Sequence, residues 1–508
     1  MSGSRKKSIL LCALAAVLLT GVSQVQKSLN RDRQRLGLTR VEPLQNAPPV
    51  LAFTTVALGG FRGLIANVLW IRSNDLQDED KFFEAMQLAD WITKLEPHFP
   101  QVWAYMAWNM AYNISVKFKD AADRWRWVRA GFELLRDEGV RYNPNETLIY
   151  RELAWIFQHK MGHNLDDANV FYKLAWRDEM TRVFGKKSPD LDELISPQSD
   201  DARQRLAILT NEFKLDPRFM KQVDGLYGPL EWRLPEAHAI YWAALGLEKA
   251  KENPAKVKTD ELIQLRRVIY QSMQLSFHRG RLVANPYVNI EFGPNLDIVP
   301  KVNAAYEEMY AEETSPGQKD GILRAHRNFL RDAVYFLYQG DRLAEAAQWF
   351  RYLGQKYPDK LILDGDANSF PRNLTLDEYA VGRVMEDVGE ISRDRVKAAL
   401  EGIIIRAYRF LALDEDRRAE GLRLLARRLW ESYAGRIKGS EPRLALAPVG
   451  EIEKEMLGRL LDPEQGMPFE MRAVLRTKLR LPVESAPTPV ATNAPPAVTV
   501  TNASAATR

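Results

Sequence analysis

Two stretches of this chain repeat one pattern 47 residues apart, and that repetition constrains the fold more than any other feature. Pro97 is followed six residues later by Trp103, then by Met106, Ala107 and Met110. Pro144 is followed six residues later by Tyr150, then by Leu153, Ala154 and Phe157. The i, i+3, i+4, i+7 spacing of each series puts its members on one helix face. The small residue admits a neighbouring helix, and the large ones fill the layer between. Partner helices repeat too. Ala346, Phe350, Leu353 and Pro358 share the spacing of Ala85, Ala89, Ile92 and Pro97, and Ala168, Tyr172 and Ala175 carry it without the proline. From about Gly60 to Arg480 helical periodicity dominates, with Val288, Ile290 and Phe292 as the one strand-like excursion. Thr375 to Glu378 reads as a capping box, and Pro235 as the first turn of a helix running to about Lys251.

These offsets resemble the tetratricopeptide repeat family, and Gly340-Asp341 before Ala346 resembles that family's inter-helix turn. The spacing exceeds the family's repeat of about 34 residues, and the partial matches cover roughly a third of the chain. The resemblance implies an all-α protein, an α-solenoid of tetratricopeptide-like helix pairs. Helical repeats are expected over 58–180, an irregular helical region over 181–320, and further repeats and C-terminal helices over 321–480. A plain helical bundle is the alternative. Leu58-Gly59-Gly60-Phe61-Arg62-Gly63 with Trp70 also resembles the opening of uncharacterised, membrane-tethered bacterial proteins of this class, which implies a fold and a compartment but no activity.

At the N-terminus Arg5, Lys6 and Lys7 precede a run, Ile9 to Val22, that is uncharged and almost wholly apolar. That is the pattern of an export signal. Residues 1–27 are read as a signal or single-span anchor, with 28–57 as a linker. Cleavage before Gln24 and retention as an anchor over Ser8 to Val25 are both open; the anchor, with the body outside the cytoplasm in the periplasm, is the reading adopted. Cleavage would release a secreted form. In a second apolar stretch, Val50 to Ile71, the charge Arg62 argues against a span. Phe61, Leu64, Ile65 and Val68 instead have the spacing of a buried helix face. Residues 481–508, rich in Pro, Ala, Thr and Val, read as a disordered tail.

Chemistry-bearing motifs are sparse. With a single Cys, no Cys-based zinc site or disulfide framework can form. A net charge of +4 without a long basic block gives nucleic acid no electrostatic footprint. His159 and His163 have the i, i+4 spacing of a zinc helix, but Lys160 stands where the catalytic glutamate would be. Asp190-x-Asp192 and Asp364-x-Asp366 read as solvated loop acids. Phosphate-binding glycine loops and nucleophile elbows are missing. Arg417 to Lys438 is basic, with Leu422, Leu425, Ala426, Leu429 and Tyr433 on one face, and reads as a helix packed by that face.

A non-catalytic scaffold at the bacterial cell envelope is therefore expected, binding a protein or peptide partner through a concave repeat surface. No cofactor or metal is expected. Trp108 and Trp155, each pointing about 150° from its packing stripe, are the candidate contacts, flanked by Tyr112 and Arg151. A glycan is the alternative ligand. A glycan-processing helical toroid and a self-assembling envelope protein are the rival functions.

Overall fold

The computed structural model describes scattered residues between 18 and 32, then 62–185, 190–252, 259–285, 289–388, 393–436, 446–463 and 465–482. Among them the fold is all-α with one two-stranded hairpin. The apolar run of the export signal is described only at scattered positions from Leu18 on, and residues 33–61 and the tail beyond Pro482 lie outside the described residues. No helix among the described residues is long and apolar enough to cross a membrane.

The chain forms two compact units, residues 1–117 with 129–144, and residues 118–128 with 145–508. In the first, α1 (Arg62–Asp78) packs on α2 (Phe82–Leu95), and α2 on α3 (Pro100–Trp108). Helix α4 (Ala121–Glu133) continues through a wide turn, Leu134–Gly139, and its residues from Arg129 on belong to this unit. The buried layer holds Ala66, Ala89, Ile92, Val102 and Met106. The expected packing residues Trp103, Met106 and Ala107 are buried and Met110 half-buried. Ala107 does admit a neighbour: a Cβ on Gly131 would lie 2.8 Å from the Ala107 carbonyl oxygen, so α4 approaches α3 here only as glycine.

Helix α1 is rotated from its expected face. Leu64 and Val68 are 60% and 59% exposed, and the buried line runs through Ala66, Ser73 and Leu76, with Leu69 and Trp70 packed beside it. The reason is closeness. Ser73 Oγ donates to the Ala85 carbonyl at 3.0 Å, an approach that a larger side chain on either helix would prevent.

In the second unit the helices that follow are α5 (Thr147–Trp155), α6 (Asn169–Phe184), α7 (Leu191–Ile195), α8 (Asp200–Asn211), α9 (Pro217–Tyr227), α10 (Pro235–Glu252) and α11 (Thr259–Arg279). Strands β1 (Arg281–Asn285) and β2 (Asn289–Gly293) form an antiparallel hairpin with Arg281 opposite Gly293. Of the strand-like excursion, Ile290 and Phe292 lie on β2, paired with a segment on the other side of Pro286, and Val288 lies outside the described residues. Then come α12 (Val299–Glu312), α13 (Pro316–Gln339), α14 (Leu343–Lys356), α15 (Leu376–Val388), α16 (Arg393–Ala412), α17 (Asp416–Arg436), α18 (Val449–Leu460) and α19 (Phe469–Lys478). Some consecutive helices pair, α10 with α11, α13 with α14 and α16 with α17, while α5 packs on the distant α10. The turn between α13 and α14 places Asp341 at φ +56°, and the Arg342 N–H closes it on the Leu337 carbonyl at 2.9 Å.

Local signals hold closely. The Thr375 N–H donates to Glu378 at 2.7 Å and the Glu378 N–H returns to Thr375 Oγ1 at 3.3 Å, which completes the capping box that opens α15. On α17, Leu422, Leu425, Ala426, Leu429 and Tyr433 are all buried in the core shared with α16 and α18. That apolar face is therefore a packing face.

Candidate functional site

The 47-residue repetition survives as local geometry. Helix α3 is nine α-helical residues followed by a π turn, Asn109–Ile114; α5 is nine followed by a π turn, Ile156–Gly162. Each π turn begins directly after the tryptophan singled out in the sequence. In the second, the His163 N–H reaches back five residues to the Gln158 carbonyl at 2.9 Å. Such turns are uncommon in helices and occur often at functional sites.

A stacked ring pair marks both turns. Trp108 is 37% exposed, and its ring stacks on half-buried Tyr112 with centroids 5.7 Å apart and planes 24° apart. Trp155 stacks on His159 at 4.7 Å and 11°. His159 stands 47 residues after Tyr112, so the motif is one aromatic pair repeated. The sequence singles out Trp108, Tyr112 and Trp155 as contacts and His159 only for a zinc-helix spacing that Lys160 argues against; applying the same offset to Tyr112 finds His159.

On α5 the row is longer. His163 follows His159 with centroids 5.9 Å apart, so Trp155, His159 and His163 form a ladder at every fourth residue. A turn closed by i→i+5 bonds holds more residues than an α turn, which brings positions four apart back into line. Arg151 lies one step before Trp155 and donates from Nε to Glu152 at 3.1 Å. All four side chains are half-buried. Burial lowers the pKa of both histidines. The neighbouring His163 and Lys160 add to this at His159; at His163 Lys173 adds to it while Glu236 opposes it. The ladder consequently presents neutral rings at neutral pH, suited to stacking.

Below the ladder lies a charged layer. Lys160, which is buried, meets Asp166 at 2.6 Å. Asp166 also accepts from the Ala168 N–H at 2.8 Å and from Tyr172 at 3.3 Å, and pairs with Arg124 at 3.4 Å. Burial pushes the Asp166 carboxyl up, but the Lys160 and Ala168 hydrogen bonds and the Lys160 and Arg124 charges outweigh it, so its pKa is lowered. Deeper still, Lys173 on α6 faces Glu236 in the first turn of α10 at 3.0 Å, with both side chains almost fully enclosed. Lys160 and Asp166 are thus engaged with each other rather than free to serve the histidines as metal-site partners.

The acidic pairs noted in the sequence are structural. Asp190 caps α7, accepting from the Asp192 and Glu193 N–H groups. Asp366 accepts from the Asn368 N–H at 2.8 Å, and Asp364 pairs with Arg331 at 3.3 Å. These two acids edge a cleft of about 1010 Å³ over Leu363, Val381 and Met385. Among the described residues no group of three or more His, Cys, Asp or Glu side chains is placed to hold a metal ion.

No protein-family model matches the chain, and neither the curated proteins nor the solved structures include one similar to it.

Proposed function

We propose that this protein is a non-catalytic binding scaffold and that the α5 ladder is where it grips an extended segment of a protein partner. The observation that supports the reading is the row Arg151, Trp155, His159 and His163, half-buried and spaced one turn apart along one helix. Half-buried aromatic rings bury large apolar area at little entropic cost, and arginine adds a directed charge, which is why these residues dominate many interfaces. The rings of the ladder hold one another through these ring contacts. Trp108 and Tyr112 offer the same two-ring platform on the first unit.

The tetratricopeptide-like residue spacing in the sequence supports reading this scaffold as a helical-repeat binder. The N-terminal signal pattern supports a site of action at the cell envelope, with residues 1–27 as the tether and the body outside the cytoplasm. The partner is a peptide segment with ring or proline side chains that stack on Trp155; a glycan is the alternative occupant of the same rings.

The test is partner capture from detergent-solubilised membranes by the full chain and by a Trp155→Ala, His159→Ala variant whose helicity matches the parent. Loss of the two rings is expected to weaken capture by about 30-fold or more. A folded variant that captures the same proteins equally well removes the ladder from consideration. Capture that soluble oligosaccharides compete away assigns the rings to a glycan.

A further inference from the structure

A second cavity, of about 550 Å³, opens beside α13 and the chain that leaves α14, with Arg324, Arg327, Lys356 and Lys360 among its lining residues and Tyr357 and Asp359 beside them. The charge balance there is uneven. Lys356 is held by Glu307 at 2.9 Å, and Asp359 is held by Arg372 at 2.9 Å. That leaves Arg324, Arg327 and Lys360 with one acid, Asp320, in the lining. Among the described residues none of these three cations forms an ion pair.

Arg327 adds a second, independent observation. Its Nε is shut away from solvent and has no hydrogen-bond acceptor. The guanidinium is thus anchored at the cavity wall, with only its outer N–H groups open to a ligand. Arg324 and Arg327 lie three residues apart on α13 and so share a helix face. At the cavity wall the Tyr357 hydroxyl is fixed by a hydrogen-bonded chain. His326 Nε2 donates to Asn303 Oδ1 at 2.8 Å, which makes Nδ1 the acceptor for the Tyr357 hydroxyl at 2.9 Å.

We infer that this cavity binds a phosphate monoester, with Arg324 and Arg327 gripping the phosphoryl oxygens and Lys360 neutralising the remaining charge. Three cations against one carboxylate leave an excess of two positive charges, the match for a dianion. Guanidinium groups take phosphate oxygens through paired N–H donors. The volume lies within the range of organic-ligand pockets and exceeds what a bare phosphate fills, so the ester carries a substituent.

The experiment is a calorimetric titration of the full chain with phenyl phosphate, with benzoate as a monoanionic control of similar shape. Phenyl phosphate is expected to bind at least tenfold more tightly than benzoate, and more weakly as salt rises. Arg324→Gln and Arg327→Gln are each expected to weaken it by about tenfold or more, while Arg203→Gln, an exposed cation on α8, leaves it unchanged. Arg324 is exposed, so its variant keeps the fold and the test stays decisive even where Arg327→Gln perturbs packing. Phosphatidate vesicles run alongside distinguish a lipid-borne monoester from a soluble one; binding of either probe that needs Arg324 upholds the site. Absence of binding to both probes, or binding that Arg324→Gln leaves intact, overturns it.

Discussion

The Lys173–Glu236 pair is the clearest case of a residue-scale commitment in this protein. Both side chains are within about two per cent of full burial, and Lys173 also lies 5.4 Å from the Phe292 ring centre. Removing one partner leaves a buried charge without its counter-ion, while removing both leaves none. Lys173→Met should therefore cost about 3–5 kcal/mol of stability, and Lys173→Met with Glu236→Leu should recover most of it. Urea denaturation followed by tryptophan fluorescence reads both; equal losses in the single and double variants would refute the argument. His238 carries a pH dependence. It is fully buried, its Nε2 donates to the Trp232 carbonyl at 2.8 Å, and Trp176 and Phe157 enclose the ring. Burial lowers its pKa to about 4, and the Trp232 hydrogen bond offsets this only in part. The unfolded histidine titrates near 6.5, so between the two values the unfolded chain binds the extra proton and the fold loses stability as pH falls. The loss should begin below about pH 6.5 and reach on the order of 3 kcal/mol by about pH 4. His326, lowered to about 4 by burial and by Lys356, adds to it. A His238→Gln variant should show a flatter stability profile across this window; an unchanged slope would mean the ring is not the proton acceptor.

At the scale of elements, the deciding contacts are close approaches between helices. Gly246 on α10 shows the constraint. A Cβ there would lie 2.8 Å from Tyr150 Cβ on α5 and 3.1 Å from Leu265 on α11. Gly225 on α9 has nothing within 4 Å of the same position. The same substitution should consequently have opposite signs at the two sites. Gly246→Ala forces α10 away from its neighbours at a cost of about 1–3 kcal/mol, more than the roughly 1 kcal/mol that helix propensity returns. Gly225→Ala keeps that propensity gain alone. Thermal melts of the two variants decide it, and a stabilised Gly246→Ala protein would show that α5, α10 and α11 yield easily. Element existence was legible in the sequence, because helical hydrogen bonds are local and their spacing is written into a single stretch. The capping box before α15, the proline opening α10 and the buried face of α17 all follow from residues within a few positions of each other. The face of α1 was not legible. Leu64 and Val68 have the right spacing, but small residues on α1 and α2 meet more closely than large ones could, and that choice belongs to the pair.

For the molecule as a whole, the sequence by itself determined the all-α class and a repeat of 47 residues that reappears as the α-then-π geometry of α3 and α5. It also singled out Trp108 and Trp155, since each departs from its own packing stripe. Only the tertiary structure decided that His159 and His163 extend the Trp155 stack, that Lys160 is bound to Asp166, and that Lys173 meets Glu236 across more than sixty residues of chain. The arginines beside Tyr357 belong to the same group: nothing local marks Arg327 as a donor without an acceptor. The division has one physical cause. Periodicity, caps and turns are set by neighbours along the backbone, whereas burial, ion pairing and cavities depend on which distant helix arrives at a face, and that is a property of the packed fold.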